Sequence, residues 1–115
     1  MRVPPEEFEA LVEQALDGLP EEFAELLDNV VVMVEDEPDP EDVGPGPAPL
    51  GIYMGTALTQ RDSFQLPGLP DRIVIYRGPI LRISKDRRQV IREVRDTVVH
   101  EIGHYFGMEE KDMPY

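Results

Sequence analysis

The stretch from Glu37 to Pro49, EPDPEDVGPGPAP, carries five prolines and two glycines, and no helix or sheet ladder can run through it. Each proline removes a backbone donor and holds φ near −65°, and the residue before it is pushed out of the helical region. The chain must therefore be built from two short regular halves joined by a loop, expected to be exposed and mobile. In the first half, Pro4 and Pro5 suit a first helical turn, and Phe8, Leu11, Val12, Ala15, Leu16 and Leu19 recur at helical spacing before Gly18 and Pro20 end the run. A second short helix is predicted over Glu21 to Leu27. The following Asn29 to Glu35, NVVVMVE, is β-branched and almost uniformly apolar, which predicts a strand buried on both faces and placed centrally in a sheet.

In the second half, strands are predicted at Leu50 to Met54 and, bounded by Pro70 and Gly78-Pro79, at Asp71 to Tyr76. Pro79 to Ile83 reads as a helical turn, with a strand as the alternative. The longest helix is predicted from Asp86 to Phe106: Val90, Ile91, Val94, Val98, Ile102 and Tyr105 form an apolar stripe, and Gly107 is placed to end it in a left-handed cap. This order of elements predicts an α+β domain spanning 1–115, its helices packed on a small mixed sheet.

With 115 residues, 41% of them hydrophobic, the chain can close one modest core. It has no cysteine, so a transition-metal site has only histidine and carboxylate to draw on. A formal net charge of −13 opposes approach to nucleic acid or to an anionic membrane surface. The start MRVPPEEFEALVEQ has neither a basic n-region nor an apolar h-region, and no run is long enough to span a bilayer, so a cytoplasmic protein is expected.

The chemistry is concentrated in VHEIGHYFGMEE, Val99 to Glu110, which holds both histidines of the chain. Residues i and i+4 share a helix face, so His100 and His104 can aim two imidazole nitrogens at one metal ion. Glu101, about 100° further round the helix, borders the same point and is placed to act as general base on a water acidified by that ion. A catalytic zinc takes three protein ligands and keeps an open position. If Gly107 breaks the helix, Glu110 comes within reach as the third ligand, with Glu109 and Asp112 as competitors. The alternative is that the two histidines are ordinary helix-face residues with solvent or core partners. For an oxyanion-stabilising donor the tyrosines Tyr53, Tyr76, Tyr105 and Tyr115 are chemically suited, and Arg72 and Arg77 are candidates for holding a substrate carboxylate.

The run HEIGHYFGMEEKDM, preceded by LPDRIVIYRGPI, resembles the minimal zincins, small bacterial proteins described as possible zinc metallopeptidases, in which HExxHxFG is followed by an acid. The likeness extends from Leu50 to Met113. It implies a pared-down metallopeptidase fold with the active-site helix near the C terminus, His100, His104 and Glu110 as metal ligands and Glu101 as general base. The sequence is also similar to the metzincin pattern HExxHxxGxxH but has Glu110 where that pattern has its third histidine. One zinc ion per chain and a peptide or unfolded-segment substrate are expected on this basis, hydrolysis being the leading function. The alternative is a metal-bearing binding or regulatory module that keeps the scaffold with little or no hydrolysis.

Overall fold

A computed structural model describes residues 1–41, 44–55 and 71–105. In chain order the elements are α1 (Pro5–Asp17), α2 (Glu21–Leu26) continued by a 3-10 turn (Leu27–Asn29), β1 (Val30–Glu35), β2 (Gly51–Met54), β3 (Asp71–Tyr76), α3 (Arg77–Ile83) and α4 (Arg87–Tyr105). The architecture is α+β with a small mixed sheet and a long helix near the C terminus. Strand order is β1-β3-β2, with β3 parallel to β1 and antiparallel to β2.

This order corrects one expectation. The strand from Val30 to Glu35 is not central; it lies at the edge, and β3 takes the middle. Nor is it buried on both faces: Val31 and Met33 are 45% and 42% exposed, whereas Ile73 and Ile75 of β3 are fully buried. A run of valines reads as two buried faces because the outward residues of β1 are themselves apolar, and an exposed apolar side chain is common enough to leave no mark in the periodicity. β3 fits the middle position better, with all of its residues except Arg72 buried.

α1 and α4 cover one face of the sheet. Phe8, Leu11, Val12 and Ala15 of α1 and Val90, Val94, Val98, Val99 and Ile102 of α4 meet Val30, Ile73 and Ile75 in a single core. The alternation of β3 explains the sharing: Ile73 and Ile75 point to the helices, and Arg72 points away.

The segment predicted only as a helical turn is α3, which begins at Arg77. Pro79 is its third residue, where the missing N–H would have no intrahelical partner anyway. The Gly78 N–H is satisfied from outside the helix by the carbonyl of Asp36 at 2.8 Å. Arg77 strengthens the same junction, donating to Asp36 Oδ1 at 2.9 Å and to the Val3 carbonyl at 2.7 Å. That fixes Arg77 as a structural residue joining the N terminus, the end of β1 and α3.

The start of α4 has a local cause. Asp86 Oδ1 accepts the Gln89 N–H at 2.8 Å, and Gln89 Oε1 in return accepts the Lys85 N–H at 2.9 Å, a reciprocal cap on the helix that carries the motif. Asp86→Ala is expected to cost about 1 kcal/mol of stability, visible as a lower urea midpoint with an unchanged denaturant slope. Asp86→Asn, which keeps the acceptor, should retain most of it.

Among the described residues no helix is long and apolar enough to cross a membrane. From Asp36 to Leu50 the described residues form no helix or strand, as the prolines require. The expected Gly107 cap and Phe106 lie outside the described residues.

Candidate metal and catalytic site

The buried stripe of α4 fixes how the helix is rotated, and the polar stripe that remains faces β2. A groove of about 330 Å³ lies there, lined by Leu50 and Gly51 on one side and by Glu93, Asp96, Thr97, His100, Glu101 and His104 of α4 on the other. His100, Glu101 and His104 thus come together as the motif predicted.

His100 is half-buried, and its Nδ1 lies 3.3 Å from the backbone carbonyl of Asp96, one turn earlier. A proton on Nδ1 donated to that carbonyl makes Nε2 the atom with the lone pair, which is the usual arrangement behind a histidine that binds metal. His104 is on the open side, with 62% of its side chain exposed, and its Nε2 is 4.0 Å from Glu101 Oε2, too far for a hydrogen bond. Glu101 has only 16% of its side chain exposed. Burial pushes its carboxyl above the ordinary value; the nearby imidazoles of His104 and His100 and a hydrogen bond from the Tyr53 backbone N–H act in the opposite direction.

That bond to Tyr53 follows from the register of the sheet. The Tyr76 N–H donates to the Leu50 carbonyl at 2.9 Å, so Leu50, Ile52 and Met54 turn their backbone groups toward β3. Gly51 and Tyr53 turn theirs to the opposite edge, with which no strand pairs among the described residues, and the Tyr53 amide is the one that bears on the Glu101 carboxyl. The sequence points to Tyr53 only for its hydroxyl, whereas its backbone amide is the group that bears on the Glu101 carboxyl.

Gly51 explains how the strand comes so close to the helix. A Cβ at this position would lie 2.6 Å from Thr97 Cγ2 and 2.9 Å from the Val74 carbonyl oxygen. A glycine inside a short strand is a sign of close backbone approach, and that was the available signal. Gly51→Ala is expected to destabilise by about 1–3 kcal/mol, measured by chemical denaturation. Adding Thr97→Ser, which removes the methyl but keeps a hydroxyl able to bond the Glu93 carbonyl, should recover only part of this because the Val74 oxygen stays in place.

The donor set suits a divalent transition metal: two imidazoles one helical turn apart, one with its tautomer set by a backbone carbonyl, and a half-buried carboxylate beside them. Among the described residues no group of three or more histidine, cysteine or acidic side chains completes a metal site. The expected third ligand Glu110, its competitors Glu109 and Asp112, and Tyr115 lie outside the described residues, as does the side chain of Tyr105. Arg72 and Arg77 do not line the groove. Tyr76 is wholly buried in β3 and does not line it either.

A conserved hypothetical protein from Thermo thermophilus has a similar solved structure, with a TM-score of 0.60 and 27% sequence identity over 90% of this chain and 94% of that one. No curated protein is similar enough to match. The sequence profile of a family described as zincin-like metallopeptidase matches residues 27–115, which takes in the whole sheet, α3, α4 and the motif. The chain belongs to the zincin-like metallopeptidase family.

Proposed function

We propose that this protein is a zinc-dependent peptidase that hydrolyses peptides or unfolded protein segments, with His100, His104 and Glu110 as metal ligands, one ion per chain, and Glu101 as general base. The observation that carries the reading is the Glu101 carboxylate, largely buried beside two histidines that line the same groove. A zinc ion held there would supply Lewis-acid chemistry, polarising a carbonyl and acidifying water near neutral pH.

The chain's own groups have distinct tasks. Glu101 takes a proton from the attacking water and returns it to the leaving amine nitrogen, and the Tyr53 N–H keeps its carboxylate pointed into the groove during both transfers. The raised proton affinity that burial confers brings Glu101 nearer the pH at which it must act. On the edge of β2 away from β3, with which no strand pairs among the described residues, the backbone groups of Gly51 can pair with an extended substrate, so the scissile bond is presented along α4 in strand form.

The test is hydrolysis of an unfolded protein by purified chain before and after removal of metal by a chelator. Cleavage should disappear on chelation and return when about one equivalent of zinc per chain is restored. Cleavage that persists in demetallated protein would reject the reading.

A further inference from the structure

The far side of the sheet carries a second feature, unconnected with the metal groove. β1 is an edge strand, and among the described residues no strand pairs with its outer side. Every second residue along it therefore turns an N–H and a C=O outward. Edge strands are commonly blunted by lysine, proline or a bulge. β1 has none of these: it reads VVVMVE and pairs with β3 residue for residue over its whole length. Beside it a groove of about 450 Å³ separates the strand from α1, lined by Val12, Leu16, Val32, Met33 and Val34 and rimmed by Glu9 and Glu13. By strand alternation the side chains of Val31 and Met33 turn to the other face and are exposed, followed by exposed Glu35.

We propose that the outer edge of β1 is a docking site for an extended segment of a partner protein in which lysine or arginine alternates with β-branched residues. Backbone pairing with the free edge would supply the ladder. Side chains entering the groove need apolar stems to cover Leu16, Val32 and Val34 and cationic heads to reach Glu9 and Glu13, which describes lysine and arginine. The alternate residues pack beside Val31 and Met33, where β-branched side chains suit a pleated surface.

Charge decides between this occupant and a second copy of the same chain. A two-fold β1–β1 pairing would bring the Glu9 and Glu13 rim of one molecule beside that of another whose formal charge is also −13. Glu9, Glu13 and Glu35 have no cationic partner among the described residues, and a basic strand would provide one.

The experiment uses a fluorescent seven-residue peptide of alternating lysine and valine, titrated with the intact protein, together with amide hydrogen exchange of the complex. Saturable binding is expected, with slowed exchange in Val30–Glu35. The double substitution Glu9→Lys with Glu13→Lys, on the exposed side of α1, should weaken it by about tenfold or more. A peptide N-methylated at alternate residues should not bind. Three results would overturn the proposal: no saturation by about 1 mM, equal binding of the N-methylated peptide, or protection appearing in β2 instead of β1. Concentration-dependent dimerisation of the protein alone, with protection of β1, would assign the edge to a second copy and also reject it. None of these readouts depends on hydrolysis.

Discussion

Glu101→Gln is expected to reduce hydrolysis of an unfolded protein substrate by two to four orders of magnitude while leaving the metal content unchanged. Glutamine has nearly the shape of glutamate, and its amide oxygen can still accept the Tyr53 N–H, so the geometry at the mouth of the groove is retained. The variant lacks only the ability to take a proton from water and pass it on, and proton transfer by a positioned group contributes about 10²–10⁴-fold. The loss should appear in kcat more than in KM, because the proton moves in the transition state and the carboxylate is not needed to bind the peptide. Thermal stability of the metal-free variant should stay within about 1 kcal/mol of the parent. A less than threefold fall in kcat would remove Glu101 from the catalytic role.

His104→Ala is expected to abolish stoichiometric metal binding, read by elemental analysis of protein purified under metal-replete conditions beside the parent chain. Loss of an outer group that merely orients a ligand costs about 10–100-fold in affinity, and loss of a ligand should exceed that. His104 has most of its side chain in solvent. The metal-free variant should therefore unfold within about 0.5 kcal/mol of the parent, which separates a lost ligand from a lost fold. Metal retained at one equivalent in this variant would overturn the assignment of His104, and a parent chain that takes up no metal would overturn the site. Metal bound by the parent without any cleavage would favour the binding module over the peptidase.

The two variants bear on different parts of one arrangement. The histidines depend on helix geometry alone, since their spacing puts them on one face wherever the helix forms. The setting of Glu101 depends on β2, because the Tyr53 amide that bears on its carboxyl and the far wall of its groove belong to a strand far away in sequence. For that reason Gly51 matters beyond its own backbone: by admitting β2 to within a methyl group's reach of Thr97, it sets how closely that strand borders the groove.

The local elements and the clustering of His100, Glu101 and His104 were legible in the amino-acid order. Proline and glycine positions delimit the helices, and the HExxH spacing brings two histidines and a glutamate to one groove, because each of these depends on residues within a turn or two of one another. Order and environment were not legible: β3 and not β1 at the centre of the sheet, Arg77 as a junction residue, and the Tyr53 amide on Glu101 all came from the packed chain. Those are pairings between segments separated by long stretches of sequence. A valine run looks the same whether one of its faces or both are covered, so the hydrophobic pattern cannot rank the possible neighbours, and the choice falls to which packing of α1 and α4 on the sheet closes the core.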